Sequence, residues 1–275
     1  MVRVVQISDT HLSPTKRHFA DNWTPLTTWV AAQQPDFVIH SGDITVDAAD
    51  QEEDAAHCAG LLKTLKVPVL SVPGNHDVGE AGNEHQPINS ERQERWRRHF
   101  GPDYWLRDVE GWRLIGFNTM LLGSGEDDEA HQAKWLKEAM ADANGRKIAW
   151  FTHRPLFIDN PKEGDTGYWS VKPEQRAELY ELMRQHPVQI VSTGHLHRWH
   201  DMTLDNTRYI WAPSTGFLVG EAQLPPKNGS ARMGAVVYDI EGDAMTATIV
   251  PVANLKTFWI HDVIHEVYPP HGAGA

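Results

Sequence analysis

The sequence predicts an α/β fold, and three observations support this prediction. Short apolar runs rich in β-branched residues alternate with helix-length segments from residue 2 to residue 72. Polar residues follow each apolar run directly, as is typical of the points where the strands of a parallel sheet end. Residues 207–250 alternate apolar runs with turns and lack helical periodicity, which indicates a second sheet that completes an α/β sandwich.

The first part of the chain shows the alternation of strands and helices most clearly. Residues 2–7 form a predicted strand, and a helix is predicted over residues 24–34. A second strand over residues 37–40 precedes a helix over residues 50–66, whose acidic first turn suits the helix dipole. A third strand follows over residues 67–72.

The rest of the chain continues with further helices and strands. Helices are predicted over residues 90–100, from the acidic run 126–129 onwards, and over residues 173–185. Strands are predicted over residues 104–107, 112–118, 147–152, 188–192, 207–211, 233–240 and 244–250. Residues 253–275 are predicted to be an extension that packs on the body of the protein or on a partner, with a loose Pro/Gly-rich end.

The composition restricts the class of protein. A chain of 275 residues supports one large domain, predicted over residues 1–252, with the extension over residues 253–275. The net charge of −12 disfavours a nucleic-acid polymer or an anionic membrane as the main partner. Because the sequence has neither a signal-peptide pattern nor a long apolar span, we expect a cytoplasmic protein. The single cysteine, Cys58, fits a reducing compartment and a small buried side chain.

Side chains with metal-binding chemistry follow five of the predicted strands. Asp9 and His11 follow the first strand, at the i, i+2 spacing that lets two side chains of an extended segment converge on one ion. His195 and His197 repeat this spacing after the strand over residues 188–192. The other three strand ends carry Asp43, Asn75 with His76, and His153. These donors are all nitrogen or oxygen atoms, which suit Zn, Fe, Mn or Co more than Ca or Mg.

The number of donors exceeds what one ion binds. Seven donors, with His76 not counted, are too many for one tetrahedral ion, whereas two ions that share one carboxylate fit the count. A two-metal site about 3.5–4 Å across is the usual arrangement for phosphoester hydrolysis. The segment Gly74-Asn75-His76-Asp77 taken alone fits a polar turn equally well, so the interpretation depends on the other four strand ends.

Together these residues resemble the ordered motifs of the calcineurin-like metallophosphoesterases. The motifs are Asp9-Thr10-His11, Gly42-Asp43, Gly74-Asn75-His76-Asp77, His153 and Gly194-His195-Leu196-His197. Within the family, the chain looks most like the bacterial class III cyclic-nucleotide and glycerophosphodiester phosphodiesterases. One departure is Val46, where the family often has a further aspartate that is not usually a direct ligand. The resemblance implies a four-layer α/β/β/α sandwich of two mixed sheets flanked by helices, with the metal site at the C-terminal ends of the strands.

The resemblance also implies a role for each residue of the site. Two transition-metal ions, chosen from Fe, Mn, Zn and Co, are expected, with Asp43 as the bridging ligand. One ion is held by Asp9, His11 and His197. The other is held by Asn75, His153 and His195. His76 remains free to face the scissile phosphate, where it stabilises charge or protonates the leaving oxygen, and Asp77 fixes its orientation.

These features predict a metal-dependent hydrolase that cleaves a small organic phosphodiester, of the cyclic-nucleotide or glycerophosphodiester type, with a metal-bridging hydroxide as nucleophile. A phosphomonoesterase, a nuclease of the same family and a non-catalytic scaffold are the alternatives. The walls of the pocket are expected to select the substrate. They are predicted in residues 12–24, 78–89 and 154–172. Trp23, Tyr168, Trp169 and Phe217 are candidate wall residues, although ordinary packing under the loops explains them equally well. We expect a small-molecule substrate, no membrane span and a homo-oligomer.

Overall fold

The computed structural model describes residues 1–221 and 228–269, which form two β-sheets and the helices packed on them. The described strands are β1 (Val2–Ile7), β2 (Phe37–His40), β3 (Val69–Ser71), β4 (Trp105–Val109), β5 (Trp112–Gly116), β6 (Lys147–Thr152), β7 (Val188–Thr193), β8 (His200–Leu204), β9 (Thr207–Trp211), β10 (Ala235–Glu241) and β11 (Ala244–Val250). The described α-helices are α1 (Trp23–Gln33), α2 (Glu52–Leu62), α3 (Asn75–Val78), α4 (Ser90–Phe100), α5 (Asp127–Ala141), α6 (Pro173–Gln185) and α7 (Ile260–Val267).

The first sheet has the strand order β11-β10-β1-β2-β3. Strands β1, β2 and β3 run parallel, and β10 pairs with β1 in the antiparallel sense. All four residues of β2 are buried, as expected for a parallel strand that is covered on both faces. The loops that follow the three parallel strands therefore lie at the same edge of the sheet.

The second sheet has the strand order β4-β5-β6-β7-β9-β8. Its four inner strands are parallel, and the edge strands β4 and β8 are antiparallel to their neighbours. The expectation that residues 207–250 form a sheet of their own is wrong, because β9 joins this sheet whereas β10 and β11 extend the first. The alternation of residues within a strand determines which face is buried, but it does not specify the neighbouring strand.

The two sheets pack face to face, and their contact forms the central core. Large side chains from both sheets meet there, among them Phe37 and Tyr238 from the first sheet and Phe151 from the second. Burial of one such aromatic side chain contributes about 1.5–3 kcal/mol. Helices α1, α2 and α4 pack against the first sheet, and α5 and α6 against the second. The predicted four-layer α/β/β/α sandwich of two mixed sheets is therefore confirmed.

Three elements were not predicted from the sequence, namely the short helix α3, β8 and α7. Helix α7 contains several β-branched residues, which favour strands, yet it forms because Ile260 and Val267 are buried against the body of the protein. Residues 253–269 of the predicted extension thus pack on the body, and residues 270–275 lie outside the described residues. The predicted domain boundary at residue 252 stays a prediction. Among the helices of the described ranges, none has the length and apolar character to cross a membrane.

Candidate metal centre

The loops that follow β1, β2 and β3 in the first sheet and β6 and β7 in the second meet at one edge of the sandwich. These loops carry all the predicted metal ligands, and every one of these side chains is buried: Asp9, His11, Asp43, Asn75, His153, His195 and His197. Six of these ligands are histidines or aspartates, and each belongs to at least one group of three residues. Within each group, the donor atoms lie within 4.8 Å of one another. Asn75 adjoins the same cluster through a contact with Tyr168.

The backbone at five of the seven predicted ligands lies in the left-handed region, which is rare for residues other than glycine. The residues are Asp9 (φ 54°), His11 (φ 44°), Asp43 (φ 52°), His195 (φ 72°) and His197 (φ 52°). Each such conformation costs roughly 1–3 kcal/mol and persists only when its surroundings enforce it. Backbone hydrogen bonds between the loops do so here, including Asp9 N to Gly42 O at 3.0 Å and His11 N to Asp43 O at 3.1 Å. Strain concentrated in this way is typical of functional sites.

Two glycines allow the loops to approach each other closely. A Cβ atom at Gly74 would lie 2.1 Å from Asp43 Oδ1, and one at Gly42 would lie 2.5 Å from His153 Nδ1. Gly42 also has a φ of +97°, which a larger residue would not adopt readily. Both positions therefore require glycine for the carboxylate and the imidazole to occupy their places.

His11, His197 and Asp9 form the first group of donors. The Nε2 atoms of His11 and His197 lie 3.2 Å apart, and His197 Nε2 lies 3.4 Å from Asp9 Oδ1. Two imidazole nitrogens at this distance either share one proton or face a common cation, because their lone pairs repel each other.

His153, His195 and Asn75 lie on the other side of Asp43. His195 Nδ1 lies 3.2 Å from His153 Nε2. The Asn75 amide donates from Nδ2 to the Tyr168 hydroxyl at 3.2 Å, and its Oδ1 is buried without a hydrogen-bond partner among the described residues. An unsatisfied buried oxygen costs about 1–3 kcal/mol, and a cation would satisfy it.

Asp43 lies between the two groups of donors. Its Oδ2 atom is 3.3 Å from His153 Nε2 and 3.7 Å from His11 Nε2. Its Oδ1 atom accepts a hydrogen bond from the backbone N–H of His76 at 3.0 Å, which orients the carboxylate. One carboxylate oxygen close to both groups has the position that a shared ligand requires.

The residues fit transition-metal ions. Two donors bound to the same ion at about 2.0–2.2 Å lie roughly 3–3.5 Å apart. The donor pairs described above are separated by 3.2–3.7 Å. Imidazole and carboxylate donors, with an amide oxygen nearby, suit Fe, Mn, Zn or Co.

Three of the four predicted imidazole ligands are held by backbone carbonyls. The bonds join His153 Nδ1 to Ser41 O at 2.8 Å, His195 Nε2 to Tyr168 O at 3.0 Å and His197 Nδ1 to Phe217 O at 2.7 Å. A carbonyl oxygen only accepts, so the bonded ring nitrogen carries the proton. The other ring nitrogen of each residue then faces the centre, which is the orientation that a metal ligand needs.

Burial and the Asp43 carboxylate determine the charges of the centre. Burial lowers the pKa of His11 and His195 well below the ordinary value of an imidazole. Burial also opposes charge on His153, but the negative charge and hydrogen bond of Asp43 outweigh it and raise the pKa of His153 to about 9. Burial would raise the pKa of Asp43, but the adjacent imidazoles hold it well below its usual range. The centre thus combines an ionised carboxylate with at least two neutral imidazoles.

His76 differs from the predicted ligands because its side chain is only half-buried. Its ring centroid lies 5.1 Å from that of His11 and 4.5 Å from that of Tyr268. A ring nitrogen of His76 lies within 4.8 Å of donor atoms of His11 and Asp43. The imidazole therefore borders the centre and also reaches solvent.

The Asp77 carboxylate bonds to the backbone of two loops. Its Oδ2 accepts from Ile44 N at 3.2 Å and Gly74 N at 2.9 Å, and its Oδ1 accepts from Thr45 N at 3.0 Å and from the Thr45 hydroxyl at 2.9 Å. Within the described part of the chain, none of the hydrogen bonds of this carboxylate reaches the ring of His76. The predicted contact through which Asp77 orients His76 is therefore not observed, and Asp77 instead joins the loops after β2 and β3.

Aromatic side chains enclose the centre. Phe217 packs against His11 and His197, with ring centroids 4.5 and 4.2 Å away, and Tyr168 packs against His195 at 4.6 Å. Trp169 lies 6.2 Å from His195. Trp23 lies instead in the core beneath the first sheet. Three of the four candidate wall residues are thus at the centre.

Tyr268 is a residue of the centre that no sequence motif indicates. Its hydroxyl oxygen lies 2.7 Å from His11 Nδ1, although the two residues are 257 positions apart. An aromatic residue that precedes two prolines carries no local pattern that indicates such a contact.

Comparison with known proteins assigns the chain to a family. The family model described as calcineurin-like phosphoesterase matches residues 2–199, a range that contains all seven predicted ligands and His76. The chain belongs to the calcineurin-like phosphoesterases. The resemblance drawn from the sequence motifs is thereby confirmed.

This calcineurin-like phosphoesterase is similar to proteins that are named for two kinds of activity. It is 27% identical over 222 residues to a probable cyclic nucleotide phosphodiesterase of Fibrobacter succinogenes, and the match covers 78% of this chain and 80% of that protein. It is 30% identical over 200 residues to serine/threonine-protein phosphatase CPPED1 of Danio rerio, and this match covers 68% of this chain and 62% of that protein.

Among solved structures, the phosphoesterase resembles the purple acid phosphatase PPD1 of yellow lupin. The TM-score is 0.68 and the sequence identity is 15%. The match covers 94% of this chain and 52% of the lupin protein. At this identity the likeness concerns the fold alone, and it agrees with the two helix-flanked sheets described above.

Proposed function

We propose that this phosphoesterase is a dinuclear-metal hydrolase that cleaves small organic phosphodiesters, such as 3′,5′-cyclic nucleotides or glycerophosphodiesters. The observation that supports it most directly is the position of Asp43 Oδ2, 3.3 Å from His153 Nε2 and 3.7 Å from His11 Nε2. Two transition-metal ions bound there would supply a water of lowered pKa and neutralise charge on the phosphoryl oxygens.

The proposed division of the ligands follows the two groups of donors. Asp9, His11 and His197 would hold one ion. Asn75, His153 and His195 would hold the other. Asp43 would be shared between them, and its hydrogen bond from the His76 backbone keeps the carboxylate in place. The carbonyl groups of Ser41, Tyr168 and Phe217 would keep three of the imidazoles in the required tautomer and orientation.

His76 is proposed to contact the scissile phosphate. Its half-buried ring borders the centre, and its backbone N–H is bonded to Asp43. An imidazole in this position stabilises negative charge on the phosphate or donates a proton to the leaving oxygen. The proposed contribution of Asp77 is to hold the loops that carry Asp43 and His76, since its hydrogen bonds go to their backbone.

A diester substrate is supported by the similarity to the probable cyclic nucleotide phosphodiesterase of Fibrobacter succinogenes. The net charge of −12 disfavours a nucleic-acid polymer as substrate, because anionic surfaces repel its backbone. A cytoplasmic location and a homo-oligomeric state belong to the same proposal. Light scattering of the purified protein tests the oligomeric state.

A phosphomonoesterase is the second candidate function. It is supported by the similarity to the Danio rerio protein named as a serine/threonine-protein phosphatase. The two reactions use the same donors, so the residues around the centre, and not the proposed ligands, would distinguish between them.

The test compares a diester with a monoester on the same enzyme. Protein stripped with a chelator and reloaded with Mn²⁺ or Fe²⁺ is assayed with bis(4-nitrophenyl) phosphate and with 4-nitrophenyl phosphate. We expect a higher kcat/KM for the diester, and a preference for the monoester would favour the phosphomonoesterase. Absence of bound transition metal together with absence of both activities would favour a non-catalytic scaffold.

A further inference from the structure

The end of the chain returns to the metal centre through α7. Before the helix, the backbone pairs with the loop after β9, because Leu218 N donates to Phe258 O at 2.8 Å and Ile260 N donates to Leu218 O at 3.0 Å. Ile260 and Val267 are buried in a cluster that includes Phe217. Helix α7 is thus fixed against the loop whose Phe217 carbonyl holds one of the predicted imidazole ligands.

Polar contacts hold the other end of α7 to the loop that follows β1. The Lys16 ammonium group donates to Val267 O at 2.6 Å. His18 Nε2 lies 3.0 Å from Glu266 Oε2. The same loop begins with Asp9 and His11, so the position of the helix end is tied to that of the first donor group.

Tyr268, directly after α7, contacts two residues of the centre. Its backbone N–H donates to Ile264 O at 2.7 Å, which continues the helical turn. Its hydroxyl oxygen lies 2.7 Å from His11 Nδ1. Its ring centroid lies 4.5 Å from that of His76, with an angle of 33° between the ring planes. One side chain thus contacts a predicted metal ligand and the residue that we propose faces the phosphate.

The contact with His11 completes a pattern among the four predicted imidazole ligands. Backbone carbonyls hold the other three at the ring nitrogen that does not face the centre. With His11 Nε2 directed to the centre, Nδ1 carries the ring proton and donates it to the Tyr268 hydroxyl oxygen. The Tyr268 hydroxyl therefore orients the His11 ring, as backbone carbonyls orient the other three rings.

We propose, on the basis of the proposed function, that Tyr268 is a positioning and specificity-determining residue of the phosphoesterase site. Its hydroxyl holds the His11 ring in the orientation that binds metal. Its ring stands beside His76 and limits the size of the ester group that fits next to the phosphate. The segment after residue 252 is then part of the active site and not an appendage to it.

The positioning role is tested by metal titration, which needs no turnover. Wild type, Tyr268→Phe and the control Tyr180→Phe are stripped of metal and titrated with Mn²⁺ in a calorimeter. The control removes a hydroxyl that bonds to Tyr209, at 3.2 Å, outside the centre. We expect Tyr268→Phe to weaken one of two binding events about tenfold, as is typical for the loss of such a partner, and the control to match wild type. Equal affinities in wild type and Tyr268→Phe would overturn the positioning role.

The role in specificity is tested by the size of the ester. Tyr268→Ala and Tyr268→Phe are compared on bis(4-nitrophenyl) phosphate and on the smaller methyl 4-nitrophenyl phosphate. We expect Tyr268→Ala to raise kcat/KM for the larger ester relative to the smaller one, and Tyr268→Phe to keep the wild-type ratio. Tyr268→Leu, which removes the ring but keeps a branched apolar side chain, replaces Tyr268→Ala if the alanine variant does not fold. An unchanged ratio in the folded variant would overturn this role.

The two experiments separate this proposal from the proposed function. A wild type that binds two Mn²⁺ ions and hydrolyses neither ester contradicts the proposed function, and the titration of Tyr268→Phe still decides the positioning role. An active wild type whose metal affinity and ester preference are unchanged by the Tyr268 variants contradicts the role of Tyr268 and leaves the proposed function standing. A wild type that binds no metal contradicts both.

Discussion

Asn75 Nδ2 donates a hydrogen bond to the Tyr168 hydroxyl, with 3.2 Å between the two atoms. This contact orients the amide, because a bond through the nitrogen leaves Oδ1 available as a donor to a metal ion. The backbone carbonyl of the same tyrosine accepts a hydrogen bond from His195 Nε2 at 3.0 Å. One residue of the loop between β6 and α6 thus orients two proposed ligands of the same ion.

Replacing Tyr168 with Phe is expected to weaken one metal site selectively. The variant loses the hydroxyl that orients the Asn75 amide but keeps the carbonyl that bonds to His195. We expect the affinity for one of two Mn²⁺ ions to fall about tenfold in a calorimetric titration. Tyr104→Phe, at a ring that packs on Trp135, is the matched control. An equal loss in the control would mean that the effect is not specific to the amide.

Replacing Asp43 with Asn is expected to remove both metals and the activity. The substitution removes the charge from an oxygen that lies within 3.7 Å of a donor in each group, while the size of the side chain is kept. The measurement is the transition-metal content per chain of protein purified without chelator. Asp21→Asn, at an exposed carboxylate paired with Lys256, serves as control. Wild-type metal content in Asp43→Asn would exclude a bridging role.

Replacing His76 with Ala is expected to preserve the metals and lower the rate. An imidazole that only faces the phosphate supplies charge stabilisation or a proton, and its loss typically lowers kcat about 10²–10⁴-fold. Metal content and kcat are measured on the same preparation. Since a ring nitrogen of His76 lies within 4.8 Å of donors of His11 and Asp43, loss of metal in this variant would identify His76 as a ligand.

Replacing Asp77 with Ala is expected to destabilise the protein. The buried carboxylate accepts from three backbone N–H groups and one hydroxyl. Leaving these groups unsatisfied is expected to lower the free energy of unfolding by about 2–4 kcal/mol, measured by urea denaturation. Replacing the exposed Asp142 with Ala, as a control, should change the free energy of unfolding by less than about 0.5 kcal/mol. An Asp77 variant of normal stability and reduced kcat would instead support a role in orienting His76.

Cys58 is expected to be unreactive in the native protein. Its thiol is buried and donates to Leu12 O at 3.2 Å, and burial raises the pKa of the thiol well above its usual value. The thiolate is the nucleophile, so iodoacetamide should label the native chain slowly and the chain in urea rapidly, with one adduct by mass spectrometry. Rapid labelling of the native protein would show that the site around Cys58 opens to solvent.

Much of the centre could be predicted from the sequence because its residues follow strands. Apolar runs of β-branched residues mark the strands, and the first polar residues after them mark the loops. Asp9, Asp43 and His153 were placed in this way, and the structure brings their loops together. The carboxyl ends of parallel strands meet at one edge of a sheet, so local patterns were sufficient here.

Other features of the fold could not be predicted because they depend on neighbours distant in the chain. The sequence of α7 favours strand as much as helix, and burial of Ile260 and Val267 decides its conformation. Strand β10 pairs with β1 as well as with its sequence neighbour β11, although the pattern of β10 by itself fits either sheet. The sequence predicts a contact of Asp77 with its neighbour His76, whereas the hydrogen bonds of the carboxylate go to residues 44, 45 and 74.

The sequence by itself determined the α/β class, the strand ends and the nitrogen and oxygen chemistry of the predicted ligands, because each depends on residue type and on spacing over a few positions. Only the tertiary structure decided which ring nitrogen of each histidine faces the centre and which residues support it. The contact between His11 and Tyr268 joins positions 257 residues apart. Such contacts arise from the packing of α7 and its loops on the two sheets, and no local pattern encodes them.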